Sequence, residues 1–389
     1  MTNEEFIAQN SDADVNKLAL GKVPLDINLH YCLQQIEGRQ KAQQKLPSLA
    51  KTEGIIYPAK LSVEQCSSEQ TALYKQKIVL RLLTENRQSM VDLTGGFGID
   101  FSFLAHLFTE ADYVEHNEQL CEIARHNFPL LGLSKVRIHS KACEDFIDGM
   151  GHFSLIYLDP SRRDAFGRKA IALIDCSPNI ETLQDTLLSH ASLVIIKLSP
   201  MLDIQDTLRR LPNVSEVHVV SVDGECKEML LVLCHQKKSV TYHCTNITTQ
   251  TQTFCTDARD VDPIIAPRPE RYLYEPNASI MKAGVQNVLC QSYNVKKLHP
   301  FSHLFTSEHL IEGFPGRIFE IEDYCSFAKK DLKTLLAGIN QCNLTIRNFP
   351  SSVAELRERL KLREGGNIYL FATTLSDGSH AMLRCKLPT

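Results

Sequence analysis

The sequence predicts an α/β protein organised around an open, mostly parallel sheet, preceded by a helical segment and followed by small α+β units. Three observations carry this expectation. Between residues 89 and 234, short apolar runs alternate with amphipathic stretches, the rhythm of strands and helices in a sheet covered on both faces. The first run ends at Asp92 and leads through Gly95, Gly96 and Gly98 into a helical stretch at 101–107. A strand, a glycine turn and a helix in that order make a nucleotide-binding βα junction. Acids then recur where later runs end, at Glu115, at Glu144 and Asp145, and at Asp159. Ligands of such sheets bind outside the carboxyl ends of the strands.

Composition frames the rest. A chain of 389 residues, 43% hydrophobic and 23% charged, is globular and long enough for two or three domains. Its net charge of −4 gives no global electrostatic footprint for nucleic acid. The thirteen cysteines are scattered singly, with no CxxC pair and no clustered Cys/His pattern. That argues against a structural zinc site and for reduced thiols in the cytosol, and no metal is expected. The N-terminus is acidic and lacks the apolar core of a signal peptide; the longest apolar runs, at 191–196 and 229–234, suit buried strands and are too short to span a bilayer. A cytoplasmic protein is expected.

Taken in order, residues 1–85 carry few strand signals. Leu29, Cys32, Leu33 and Ile36 have helical spacing, and Pro47 breaks that helix. Residues 55–58 read as a short extended piece. A second helix follows, with Ser67 or Ser68 as its N-cap and Leu73, Lys77, Leu80 and Leu83 along it. The basic residues of this segment (Arg39, Lys41, Lys45, Lys75, Lys77) either face a polyanion or form a solvated helix face. Strands are then expected ending at Val91, at 112–114, 136–139, 153–158 and 192–198, with helices at 118–128, 179–190 and 203–211. Two last strands, at 217–222 and 229–234, are separated by Asp223-Gly224-Glu225 and could be antiparallel at the sheet edge.

Beyond residue 237 the rhythm is lost. Residues 241–245 are β-like, 263–269 are proline-rich, 280–289 are helix-like, and 299–305 and 313–317 read as loops around short strands. A small α/β unit closes the chain: a helix at 331–339, a strand at 343–348, a helix at 353–362, and strands at 368–374 and 381–386. These changes place four domains: helical 1–85, the sheet domain 86–237, an α+β unit 238–330 and the α/β unit 331–389.

The glycine spacing is GGxG, not the GxGxxG of a dinucleotide fingerprint, so the loop alone fits several nucleotide cofactors. Glu115 is placed to accept hydrogen bonds from both ribose hydroxyls of an adenosine. Glu144 or Asp145 is placed to accept from an adenine amine. In Asp159-Pro160-Ser161-Arg162-Arg163 an acid, a proline and two arginines follow a buried apolar strand. There a carboxylate can meet a substrate amine and a guanidinium fork a phosphate.

As a set these features resemble the class I S-adenosylmethionine-dependent methyltransferases. Residues 91–100 are similar to their first motif, Glu115 to the ribose-binding acid, Asp145 or its neighbour to the adenine-side acid, and Asp159-Pro160-Ser161-Arg162 to a variant of the fourth motif. More narrowly, the whole chain resembles a bacterial group of methyltransferases with a THUMP-like domain. That resemblance is carried by Gln65-Cys66-Ser67-Ser68-Glu69, Leu158-Asp159-Pro160-Ser161-Arg162-Arg163, Lys197-Leu198-Ser199-Pro200, Gly224-Glu225-Cys226-Lys227-Glu228, Tyr272-Leu273-Tyr274-Glu275-Pro276-Asn277 and Phe314-Pro315-Gly316-Arg317. It implies a Rossmann-like catalytic domain, a helical N-terminal extension, a ferredoxin-like unit and a C-terminal THUMP-like unit. It further implies S-adenosyl-L-methionine as cofactor, held by Asp92, Thr94, Gly95, Gly96, Gly98, Glu115, Glu144, Asp145, Asp159 and Pro160. The catalytic candidates are Asp159, Arg162 and Lys197.

Two departures bear on the substrate. Arg162 stands where amine-methylating relatives carry an aromatic residue that stacks on the target base, which argues against a flipped-base amine. Neither Asp159-Pro160-Ser161-Arg162 nor Lys197-Leu198-Ser199-Pro200 contains a cysteine, and Cys176 reads as a buried thiol, so covalent pyrimidine C5 chemistry is disfavoured. RNA is the expected substrate, by analogy with the accessory domain. Residues 331–389 hold eight Lys/Arg (Lys333, Arg347, Arg357, Arg359, Lys361, Arg363, Arg384, Lys386) against five acids. The alternatives are a protein or small-molecule acceptor, a non-catalytic RNA- or protein-binding scaffold, and a nicotinamide dehydrogenase, which the glycine spacing and Asp159-Pro160 oppose.

Overall fold

A computed structural model describes residues 1–21, 24–161, 173–235 and 239–388. The chain divides into two compact units, Met1–Ser215 with Leu230–Lys238, and Glu216–Met229 with Ser239–Thr389.

Among the described residues the first unit opens with the helices α1 (Asn3–Gln9), α2 (Val15–Ala19), α3 (Leu29–Lys45), α4 (Pro47–Lys51), α5 (Lys60–Gln65) and α6 (Glu69–Leu82). Asn28 caps α3 by accepting from the Tyr31 amide, and Pro47 starts α4. The piece expected to be extended at 55–58 belongs to no helix or strand. Side-chain amides take the place of a neighbouring strand there. Gln35 Oε1 accepts from the Tyr57 amide at 2.8 Å and its Nε2 donates to the Tyr57 carbonyl at 2.9 Å. Asn127 does the same for Ile56, at 2.9 and 2.8 Å. Backbone polar groups are thus satisfied without a ladder. Among the basic residues of this segment, Lys75 is fully buried and Lys45 donates to the Val63 and Glu64 carbonyls at 3.1 and 2.6 Å. Neither lies on a solvated face.

Next come β1 (Ser89–Asp92), α7 (Ile99–Ala105), β2 (Glu110–Glu115), α8 (Glu118–Leu130), β3 (Val136–Ser140), α9 (Cys143–Ile147), β4 (Phe153–Leu158), α10 (Ile180–Ser189), β5 (Ala191–Leu198), α11 (Ile204–Arg210), β6 (Val214–Val222) and β7 (Glu225–Leu233). β1 lies parallel to β2 and β4, β2 parallel to β3, and β4 parallel to β5. Every residue of β4 is buried, as a strand covered on both faces requires. β6 and β7 are joined by Asp223 and Gly224, with φ of 49° and 81°, the left-handed pair that closes a two-residue hairpin.

The sheet runs in the order β3-β2-β1-β4-β5-β7-β6-β8-β9, where β8 is Thr241–Ile247 and β9 Gln252–Thr256. The hairpin is therefore not at the sheet edge: β8 pairs parallel with β6, and β9 antiparallel with β8.

The second unit continues with β10 (Tyr272–Pro276), α12 (Ala278–Ala283), α13 (Leu289–Ser292), β11 (Lys296–Lys297), β12 (Phe305–Ser307), β13 (Gly316–Ser326), α14 (Lys329–Leu335), β14 (Gln341–Arg347), α15 (Val353–Leu360), β15 (Arg363–Thr374) and β16 (His380–Lys386). They build a second sheet of order β11-β12-β10-β13-β16-β15-β14, with β14 parallel to β15. β13 is an eleven-residue strand where the sequence suggests only short ones. Its acidic stretch hid it, because Glu320 and Glu322 are matched by Arg271, Lys386 and Arg384. Leu273, Phe319, Phe371 and Leu383 fill one core of this unit, and Leu332, Leu356, Leu370 and Met382 another. Among the described residues no helix is long and apolar enough to cross a membrane.

Candidate active site

Parallel register sets the site. Asp92 ends β1 beside Tyr113 of β2 and Tyr157 of β4. Leu158 of β4 stands beside Ile196 of β5, so the next residues, Asp159 and Lys197, emerge side by side.

The glycine loop is held from several directions. Asp92 Oδ1 accepts from the Thr94 amide at 2.9 Å. Thr94 Oγ1 accepts from the Asp159 amide at 2.6 Å. Glu115 Oε2 accepts from the Gly96 amide and its Oε1 from the Asn117 amide, both at 2.8 Å. The Tyr113 hydroxyl donates to the Gly96 carbonyl at 2.5 Å. Asp92, Thr94, Gly96, Glu115 and Asp159 thus share one hydrogen-bonded constellation.

The glycines differ in purpose. A Cβ on Gly95 would lie 2.1 Å from the Tyr113 ring, and one on Gly98 2.8 Å from the Phe128 ring. Gly95 is there for packing. Gly96 has φ of 55° and, for an added Cβ, only the Thr94 carbonyl oxygen at 3.8 Å. It is required by backbone conformation and leaves space on its outer side.

A buried charge network lies next to the loop and was not assigned from sequence. Asp100 Oδ2 accepts from Ser67 Oγ and from the Tyr157 hydroxyl, each at 2.7 Å. Lys75 Nζ lies 3.1 Å from Asp100 Oδ1 and donates to Ser67 Oγ at 3.1 Å. Lys197 Nζ is 3.8 Å from Asp100 Oδ2 and forms a close ion pair with Asp159 Oδ2. Burial raises the Asp100 carboxyl, but the Lys75 and Lys197 charges and the Ser67 and Tyr157 hydroxyls outweigh it and bring it down to about 2. Asp92 goes the other way. Burial pushes its carboxyl well above the usual range, the Asp100, Asp159 and Glu115 charges add to this, and the Thr94 amide offsets only part. The adjacent serines divide their roles: Ser68 caps α6 and Ser67 turns to Asp100. Asp100 directly follows the glycine loop in the sequence, and that position was the available signal.

Glu144 and Asp145 are exposed in the first turn of α9, after edge strand β3. Both Glu144 and Asp92 act on the Cys143 thiol, which places that turn beside the end of β1. Pro160 is buried. Arg162 and Arg163 lie outside the described residues. The thiols bordering the site stay protonated: burial pushes Cys66 up to about 11 and Cys143 up to about 12. Cys176 is buried, with 4% of its surface exposed.

The residues fit an adenosyl cofactor bearing a cationic sulfur. The open outer side of Gly96 admits a close ligand, and Glu115 holds its carboxylate at the strand end. Asp159 and Glu115 bring carboxyl groups to this end of the sheet, with the buried Asp92 carboxyl beside them. Glu115, Gly96, Asp92 and Thr94 would hold such a group, with Glu144 or Asp145 beyond them. Asp159, braced by Lys197, is 38% exposed at its side chain and can meet an acceptor.

Comparison with known proteins bears on the whole chain. A family described as a ferredoxin-like domain matches residues 272–315, and one described as THUMP domain-like matches residues 316–387. The crystal structure of a protein from Porphyromonas gingivalis W83, described as a "putative methyltransferase", is 32% identical. It superposes with a TM-score of 0.88 over 100% of this chain and 98% of that one. An rRNA methylase from Streptococcus thermophilus is 14% identical, covering 41% of this chain and 94% of its own, with a TM-score of 0.32. A "putative RNA methyltransferase" from Pyrococcus horikoshii is 12% identical, covering 49% and 96%, with a TM-score of 0.35. No curated protein matches.

Proposed function

This chain belongs to the methyltransferase family that carries ferredoxin-like and THUMP-like C-terminal modules, and we propose that it transfers a methyl group from S-adenosyl-L-methionine to RNA in the cytoplasm. The observation that carries the reading is the constellation at the carboxyl ends of β1, β2, β4 and β5. There Glu115 fixes the glycine loop, Thr94 ties that loop to Asp159, and Lys197 braces Asp159.

The cofactor supplies a methyl group already activated by the positive sulfur. The protein's work is then to position the acceptor and handle one proton. Asp159 orients the acceptor or takes its proton. Lys197 holds the Asp159 carboxylate in place, and through Asp100 that lysine is tied to Lys75 and Ser67 of the helical segment. Arg162 and Arg163, adjoining Asp159 in the sequence, are assigned to a phosphate or other anion of the substrate.

RNA is favoured by the THUMP-like module and by its surface charge. Of the eight basic residues at 331–389, Arg347, Arg357, Arg384 and Lys386 pair with acids. Lys333, Arg359, Lys361 and Arg363 are exposed and take part in no ion pair among the described residues. Arg359, Lys361 and Arg363 follow one another where α15 ends and β15 begins, a small cationic patch suited to phosphate.

The test is a transfer assay with labelled donor on total RNA from a strain lacking the protein, followed by nucleoside analysis. One methylated nucleoside supports the reading. Label in protein instead would overturn the substrate assignment, and absence of donor binding would favour a non-catalytic scaffold.

A further inference from the structure

In the second unit, away from the glycine loop in sequence, three metal-binding side chains converge on neighbouring strands. β6 and β8 run parallel with His218 beside His243 and Glu216 beside Thr241. Glu216 and His218 are two residues apart on one strand, so they point to the same face. His243 joins them from the adjacent strand. All three ligand atoms lie within 4.8 Å of one another. His218 Nε2 is 2.9 Å from Glu216 Oε2, and His243 Nε2 is 3.7 Å from the same oxygen. The two rings stack with centroids 4.3 Å apart and planes 6° from parallel.

We propose that Glu216, His218 and His243 form a binding site for a divalent first-row transition metal, of which zinc is the natural occupant to test. Two imidazole nitrogens and a carboxylate oxygen are a donor set suited to such ions. Both Nε2 atoms face one carboxylate. One dication set between the three ligand atoms would be balanced in part by the Glu216 carboxylate. Capture turns the two rings out of parallel toward the ion, a rotation about a broad terminal torsion.

The outer shell is supplied from the third strand. Cys255 of β9 stands beside His243, and its sulfur lies 3.2 Å from His243 Nδ1. A thiol sulfur accepting from Nδ1–H fixes the tautomer whose Nε2 lone pair can coordinate, in the place that a carboxylate, carbonyl or water takes beside most metal-bound imidazoles. Side-chain exposures of 15% for Glu216, 2% for His218 and 16% for His243 give the ion an entry route and keep most of the site from water. Bound metal would join β6 to β8, with β9 in support. A sequence scan for clustered Cys/His passes over this site because its histidines are about twenty-five residues apart and meet only through strand pairing.

The test uses the untagged full-length protein, stripped with chelator and titrated with Co²⁺ and with Zn²⁺ against a chromophoric competitor. One equivalent is expected to bind, giving visible cobalt d–d bands and raising the thermal midpoint reversibly. His218→Gln and His243→Gln should each weaken binding by about 10-fold or more, while Cys255→Ser, which removes only an outer-shell contact, should keep the stoichiometry. X-ray absorption of the zinc-loaded wild type needs no variant to fold, and it should show two imidazole ligands with oxygen. Absence of binding, unchanged affinity in folded His variants, or a zinc spectrum without imidazole scattering would overturn the site. A sulfur-to-cobalt charge-transfer band would overturn the outer-shell role given to Cys255.

Discussion

Lys75 Nζ lies 3.1 Å from Asp100 Oδ1 with both side chains buried, so the N-terminal helices and the helix after the glycine loop share one internal ion pair. Removing one partner strands the other. Lys75→Met should destabilise the protein by about 3–5 kcal/mol, the cost of an uncompensated buried charge. Lys75→Met/Asp100→Leu should recover much of that loss. Urea midpoints of the variants measure both; a loss below about 1 kcal/mol in the single variant would mean that Lys197 alone neutralises Asp100.

Asp159 and Lys197 emerge from adjacent parallel strands and pair there. Asp159→Ala should lower methyl transfer by about 10²–10⁴-fold, the usual worth of a positioned proton acceptor, and leave donor affinity near that of wild type. Calorimetry and single-turnover assays separate the two effects. If affinity falls in step with rate, Asp159 serves the donor and not the acceptor.

Gly95 and Gly96 should respond differently to alanine. Gly95→Ala drives a methyl into the Tyr113 ring at 2.1 Å, an overpacking worth about 1–3 kcal/mol. Gly96→Ala meets open space but keeps a positive φ, a strain of about 1–2 kcal/mol. Thermal unfolding should rank Gly95→Ala as the less stable, whereas Gly96→Ala should show the larger loss of donor binding relative to its stability.

The two buried acids near the loop predict opposite pH responses. Asp100 is depressed to about 2, so its contribution to stability is present above the unfolded carboxyl range and is lost as pH falls toward 2. Asp92 is raised, so its contribution is present only below the unfolded range and is lost as pH rises through the folded value. Asp92→Asn should therefore stabilise the ligand-free protein at about pH 8 relative to wild type and gain little at about pH 4. Thermal midpoints across that range check the sign. A cationic ligand beside Asp92 should bind more tightly as pH rises.

If Arg359, Lys361 and Arg363 meet phosphate, reversing them to Glu should weaken RNA binding at low salt. It should also flatten the dependence of log K on log salt, by about 0.7 for each phosphate of single-stranded RNA that is no longer neutralised. Fluorescence anisotropy at several salt concentrations measures the slope. An unchanged slope would remove this patch from the RNA surface.

Much of the fold is written locally. The alternation of apolar runs, the glycine turn after Asp92 and the Ser68 cap place most elements of the first sheet within a few residues. The misses share a cause. Residues 55–58 read as an extended piece with no pairing partner nearby in sequence, and the partners of their backbone are the side chains of Gln35 and Asn127. β13 reads as no more than a short strand because the residues that neutralise its acids lie elsewhere in the chain. Lys75 reads as surface because nothing nearby in sequence shows Asp100 waiting for it.

The sequence by itself determined the order of strands and helices, the glycine turn and the acids at strand ends, because each follows from neighbours within one turn or one strand. Tertiary structure decided which of these meet. It set Asp159 against Lys197, tied Ser67 and Lys75 to Asp100, and gathered Glu216, His218 and His243 across two strands. Those pairings depend on sheet register, a property of strands brought together from distant parts of the chain. The glycine loop is where both levels join: its turn is local, but Tyr113, from the neighbouring strand, decides why Gly95 has no side chain.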